Sequence, residues 1–158
     1  MKDHVNDLTG TFWDRAEDLK TVMLEIDGRA VPMSPYADKD ERVIWFITAE
    51  GTEAYEAAKG SGRVRLIVSD MKAKLFADVH GSLTAADNPD KLDELWSPVA
   101  AAWFEDGRED DDVRLLAFRP VEAEVWATDG AAGFLYEIAK ANLTEEKPDM
   151  GDHGRVTF

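Results

Sequence analysis

Apolar residues at Val5, Leu8, Phe12, Trp13, Ala16 and Leu19 recur every three or four positions, so the chain opens on an amphipathic helix within residues 1–20. Thr11 is a candidate cap for the part after Gly10, with Asp14 in its first turn. The period then changes. Residues 21–27 read as a strand, Asp27-Gly28 as a tight hairpin, and 30–37 as the returning strand. Pro32 places that second strand at an edge or a bulge, because proline has no N–H for a ladder. Residues 43–48, Val-Ile-Trp-Phe-Ile-Thr, are β-branched and aromatic and read as a buried strand. A short helix follows over 52–59, with Thr52 or Gly51 near its cap and Gly60 past its end. Strands are predicted at 63–69 and, after a turn at 70–72, at 73–84. Helices follow at 87–95 and 98–104, and then a solvated acidic loop at 105–112. The sixth strand, 113–126, is bent or bulged at Pro120. A last helix covers 130–141 with Asp129 as its cap, and the tail from 145 is polar and irregular.

This order predicts a mainly β chain with flanking helices (α+β). Sequential strands joined by tight turns form an antiparallel meander. Six strands with few crossover helices make a closed or partly closed barrel rather than a parallel, doubly wound sheet. The 158 residues form a single domain: a helix within 1–20, strands with inserted helices over 21–126, a helix at 130–142 and a tail at 143–158.

Composition narrows the classes of partner. The formal charge is −15, so the surface repels nucleic acid and anionic lipid, and at long range any phosphorylated ligand. The longest apolar run, 99–104, is far too short for a bilayer span. Without cysteine there is no disulfide, thiolate metal site or thiol nucleophile. The first residues show no signal pattern, and a cytoplasmic location is the expectation.

The usual catalytic patterns are missing. His4, His80 and His153 have no paired spacing and read as ordinary histidines. There is no Gly-x-Ser-x-Gly elbow, and Gly60-Ser61-Gly62 precedes a strand instead of following one, so it reads as a turn. Asp110, Asp111 and Asp112 lack the ligand spacing of a calcium loop, and no metal site is expected. No acid–base constellation stands out and no catalytic residue is assigned. A protein of this kind can still be an enzyme if a cofactor carries the reaction.

Several stretches resemble one family in order and spacing. They are Val31-Pro32-Met33-Ser34, Ile44-Trp45-Phe46-Ile47-Thr48, Leu92-Asp93-Glu94-Leu95-Trp96-Ser97-Pro98, Ala102-Trp103-Phe104-Glu105-Asp106-Gly107, Ala123-Glu124-Val125-Trp126 and Gly151-Asp152-His153-Gly154. Together, from about Phe12 to Gly154, they resemble the general stress protein 26 group of the pyridoxamine 5′-phosphate oxidase-like superfamily. The resemblance implies a six-stranded antiparallel split β-barrel of the FMN-binding type. It implies a homodimer with two flavin clefts at the subunit interface, and flavin-linked oxidation or reduction of an unknown substrate. It places Val31, Pro32, Met33, Phe46, Ile47, Thr48, Thr52 and Trp126 at the cofactor. Thr48 ends its strand, where a hydroxyl can reach a ribityl or phosphate oxygen. The five tryptophans otherwise read as core or interface residues.

The sequence departs from the family at the phosphate. Val31 stands where the family usually has Arg, and Thr52-Glu53-Ala54 stands where it has Ser-Arg-Lys. Losing one charge-assisted partner in a buried site costs roughly 2–5 kcal/mol. FMN is therefore expected to bind weakly or substoichiometrically unless Arg29, Arg42, Arg63 or Arg65 substitutes; Arg63 and Arg65 share a strand face and are the better placed. Two functional readings follow: a flavin-dependent oxidoreductase of the stress-protein kind, or a non-catalytic split-barrel dimer that has lost tight FMN binding and holds another ligand or none. A deazaflavin meets the same phosphate problem, and the lack of a well-placed histidine argues against haem.

Overall fold

Asp27 and Gly28 both take left-handed backbone, with φ of 51° and 84°. This is the conformation that a two-residue hairpin requires, and it joins β1 (Val22–Ile26) to β2 (Arg29–Met33). The computed structural model describes residues 2–60, 62–149 and 151–158; the side chains of 2–6 and 131 lie outside that description. The side chains of His4 and Val5, and the middle of the 60–62 turn, therefore lie outside the described residues.

Pro32 sits on a sheet edge, since β2 pairs only with β1. The strand expected over 30–37 is instead two. Ser34-Pro35 interrupts it, and β3 (Tyr36–Asp38) pairs with β4 (Val43–Ala49) at the opposite end of the sheet. Proline at 35 cannot donate to a ladder, so the chain leaves one edge and joins the other. The sheet order is β2-β1-β5-β6-β7-β4-β3, with β5 (Arg63–Asp70), β6 (Leu75–Ala86) and β7 (Val113–Thr128), every pairing antiparallel. The consecutive strands β2 and β3 thus lie at opposite ends of one curled sheet. The result is an antiparallel half-barrel.

An eighth strand, β8 (Gly151–Thr157), pairs with β7 where an irregular tail was expected. Its sequence hides it: only Val156 is buried, so no alternation of apolar residues marks the strand. Among the described residues the strand count is eight rather than six. The predicted bulge is present at Pro120. His80 faces Glu122 while Gly81 faces Pro120, which leaves Val121 as the extra residue, and the Phe158 N–H donates to its carbonyl at 3.0 Å.

The barrel interior is filled by alternate residues of the strands, among them Leu24, Ile44, Phe46, Leu66, Leu75, Val79, Leu116 and Phe118. Helix α1 (Lys2–Ala16) packs on it through Leu8, Phe12 and Trp13, with Phe12 edge-on to Trp13 and Phe158 at 5.3 and 5.2 Å. The helix runs unbroken through Gly10, so Thr11 lies inside it and caps nothing. Arg15 ties its end to the sheet, donating to the Lys74 and Thr128 carbonyls at 2.6 and 2.9 Å. β4 is buried on both faces: Ile44 and Phe46 enter the barrel, while Val43 and Trp45 pack with Leu92 of α3 (Pro89–Leu95).

Helix α2 (Glu53–Lys59) starts at Thr52, whose hydroxyl accepts from the Tyr55 N–H. α4 is shorter than predicted, Pro98–Ala101, capped by the Ser97 hydroxyl and followed by a turn that carries Trp103. The acidic loop holds one 3-10 turn, Gly107–Glu109. Asp129 precedes α5 (Gly130–Leu143), but its side chain makes no capping bond. No described helix is long and apolar enough to cross a membrane.

Candidate ligand cleft

The ends of β2 and β4 and the α4 segment enclose a cavity of about 340 Å³. It is lined by Pro32, Met33 and Ser34 at the end of β2, by Tyr36 of β3 and Ile47, Thr48 and Ala49 of β4, by the helix cap Thr52, and by Val99, Ala100, Trp103 and Phe104 of α4 and the turn after it. The lining is chiefly apolar and carries no charged side chain among these residues.

Of the eight residues singled out in the sequence, five meet here: Pro32, Met33, Ile47, Thr48 and Thr52. Val31 is half-buried and lies outside the lining. Phe46 points into the barrel with no exposed surface, so only its backbone is available to a ligand in the cleft. Trp126 lies on another face, stacked on His153 at 4.9 Å and 6°. The α4 side was missed. Val99 and Trp103 sit at helical spacing, and Trp103 reads as a core or interface residue, yet it is 83% exposed because α4 ends before it and the turn swings the ring outward.

The two threonines have a fixed polarity. Thr52 Oγ1 donates its proton to the Ala49 carbonyl at 2.9 Å and accepts from the Tyr55 N–H at 3.2 Å. A hydroxyl has one proton. Thr48, 3.0 Å away, must therefore be the donor in the Thr48–Thr52 bond. Both hydroxyl protons and both Thr52 lone pairs are committed, so what the pair offers a ligand is the lone pairs of Thr48.

Nearby cations are likewise engaged. Arg29 of β2 pairs with Glu53 at 2.9 Å, Lys59 with Glu56 at 2.9 Å, and Arg114 with Glu50 at 2.9 Å. Arg114 also lies over the Tyr55 ring at 5.3 Å, and hydrogen bonding to Tyr55 and the charge of Glu50 raise its pKa. Arg65 does not reach the cleft. It makes two parallel bonds to Asp78, at 2.7 and 2.8 Å, and one to Glu25 at 3.1 Å, on the outer face of the sheet. The Arg65 guanidinium holds the Asp78 carboxyl below its ordinary value. Arg63 lies in a separate groove with Glu25, Asp27 and His80. Among the described residues no cluster of histidine and carboxylate side chains is arranged to hold a metal.

A curled antiparallel half-barrel with an apolar cleft at its strand ends is the architecture of the split-barrel proteins. The chain belongs to the pyridoxamine 5′-phosphate oxidase-like family, whose model matches residues 7–149. It is similar to a protein of Jannaschia sp. CCS1 provisionally assigned as general stress protein 26, with 48% identity over 98% of this chain and 99% of that one, at a TM-score of 0.89. It is similar also to the general stress FMN/FAD binding protein of Xanthomonas citri, with 31% identity over 80% of this chain and 92% of that one, at a TM-score of 0.70. A Clostridium acetobutylicum protein related to general stress protein 26 shares the fold at 17% identity, over 77% of this chain and 89% of that one, at a TM-score of 0.61. No curated protein matches the chain.

Proposed function

We propose that this protein binds the isoalloxazine ring of a flavin in the Pro32–Phe104 cleft and acts as a flavin-dependent oxidoreductase of the stress-protein kind. The observation that carries the reading is the cleft itself: an apolar slot with a few polar groups at one end, formed where the sheet edges approach α4. The flavin-binding name of the Xanthomonas citri relative supports it. The ring system fits the residues present. Met33, Ile47 and Val99 offer apolar packing for a flat tricycle, and Trp103 an aromatic surface at the rim. The phosphate of FMN does not fit them, because no side chain lining the cleft is cationic. A bound flavin would supply the electron chemistry. The protein's own part is to hold the ring between the β2 and α4 walls, exclude water and accept hydrogen bonds at Thr48.

The same reading includes a homodimer in the cytoplasm. Its support is the outer face of the sheet, where Met23 and Trp126 remain 37% exposed beside the half-buried Ile67 and Phe76. A second copy laid on this face would cover that apolar strip, and light scattering that returns a monomer mass would remove the dimer.

The deciding experiment is a visible absorption spectrum of freshly purified protein, followed by titration with riboflavin and with FMN read by flavin fluorescence. Flavin bands or saturable quenching by either compound sustain the flavin reading. A colourless protein that quenches neither leaves the second reading, a split barrel that binds something else. The feature favouring that second reading is the uncharged lining.

A further inference from the structure

We infer that the cleft takes a flavin without its phosphate, of the riboflavin class, in preference to FMN, and that Glu53 is the residue that sets this preference. The inference rests on the flavin reading above and goes on to name the ligand class and its determinant.

Three observations converge on the Thr52 end of the cleft. The first is hydrogen-bond polarity. A phosphate ester is an acceptor on every oxygen, and it binds where donors converge. Here the Thr52 proton is held by the Ala49 carbonyl and the Thr48 proton by Thr52. The lone pairs of Thr48, which lines the cleft, suit a ligand that donates, as a ribityl hydroxyl does, and repel one that only accepts.

The second is the pairing of Arg29. Thr52 lines the cleft and Glu53 is its chain neighbour; Pro32 lines the cleft and Arg29 lies three residues earlier on the same edge strand. Arg29 and Val31 are two apart on β2 and so share a face. The cation on the strand face of the missing one is thus already neutralised, by a carboxylate 2.9 Å from its guanidinium. A phosphate recruiting Arg29 would first have to displace Glu53 and would then sit beside its charge.

The third is the surrounding field. Glu50, Glu53 and Glu56 flank the start of α2, each matched one-to-one by Arg114, Arg29 and Lys59. No positive charge is left over among these groups to receive a ligand of about two negative charges. The chain as a whole carries −15.

The test is a pair of fluorescence titrations, riboflavin and FMN, on the full-length wild type and on Glu53→Gln. Glu53 is more than half exposed, so the substitution leaves the fold intact, which far-UV circular dichroism verifies. The wild type should bind riboflavin at least about tenfold more tightly than FMN. Glu53→Gln should free Arg29 and narrow that gap by about fivefold or more, through FMN alone, with riboflavin unchanged. FMN binding as tightly as riboflavin or tighter in the wild type overturns this inference and leaves the flavin reading standing. A gap that Glu53→Gln does not narrow overturns the role of Glu53. Neither compound binding overturns the flavin reading, and this inference with it.

Discussion

Thr48 and Thr52 share one hydrogen bond, 3.0 Å long, that ties the end of β4 to the cap of α2. Thr52 also carries the capping bond from the Tyr55 N–H and the bond to the Ala49 carbonyl, so one hydroxyl serves three partners. Thr52→Ala removes all of them and should destabilise the protein by about 1–2 kcal/mol, whereas Thr52→Ser keeps the hydroxyl and should stay within about 0.5 kcal/mol of the wild type. Urea denaturation midpoints compare the two; equal midpoints for Ala and Ser would mean that the hydroxyl network adds nothing.

Gly81 marks the bulge that bends β6 and β7. A Cβ built there collides with the Arg119 carbonyl oxygen and lies 2.8 Å from the Phe118 ring, closer than Cβ atoms come to a neighbour. Gly10 is the opposite case, inside α1 with nothing within 4 Å of an added Cβ. Gly81→Ala should therefore cost about 3 kcal/mol, and Gly10→Ala should stabilise by about 0.5–1 kcal/mol through helix propensity. Thermal melts of the two variants should shift in opposite directions.

These elements show which parts of the structure the sequence reveals. The Asp27-Gly28 hairpin, the edge position of Pro32, the Thr52 cap and the bulge at Pro120 each follow from a local rule of backbone chemistry, and each is present. The missed elements depend on distant partners. β8 has one buried side chain and exists because β7 offers it a ladder; β3 is three residues long and defined only by pairing with β4. The cleft divides in the same way. Its strand wall is marked by Pro32, Met33, Ile47 and Thr48. Its α4 wall is not, because Val99 and Trp103 sit at helical spacing and Trp103 reads as a core or interface residue until α4 is seen to end at Ala101. The proton inventory of Thr48 and Thr52 needs distances, which no sequence pattern carries.

Asp78 provides a pH prediction. Its two bonds from Arg65 hold the folded carboxyl below the ordinary value of 3.8. A carboxyl whose folded pKa is depressed contributes stability that is full above the unfolded value and is lost as pH falls through the folded one. Both groups are about a third or more exposed, so the contribution is modest, about 1 kcal/mol. Asp78→Asn should be less stable than the wild type at pH 7 and should converge with it as pH falls below the ordinary value of 3.8 and through the depressed folded one. Parallel stability curves for the two proteins over that range would show that the pair does not drive acid unfolding.

Trp103 separates a binding role from a folding one. At 83% exposure it lends the core almost nothing, so Trp103→Ala should leave the urea midpoint within about 0.5 kcal/mol. If a flavin ring packs on it at the rim of the cleft, the same variant should lose about fivefold in riboflavin affinity. Unchanged affinity would place the ring deeper, between Met33 and Ile47.

Ionic strength distinguishes charge repulsion from poor shape at the phosphate end. Glu50, Glu53 and Glu56 there are each paired with a cation, so the unbalanced field comes from a chain of net charge −15. Between about 0.01 and 0.1 M salt the screening length falls from about 30 to about 10 Å, which weakens repulsion from all but the nearest carboxylates. FMN affinity should therefore rise with salt, while riboflavin, which has no charge, should hold steady. A fall in FMN affinity over the same range would mean that a cation contacts the phosphate after all. Arg29, released from Glu53, is the side chain on β2 that would supply it.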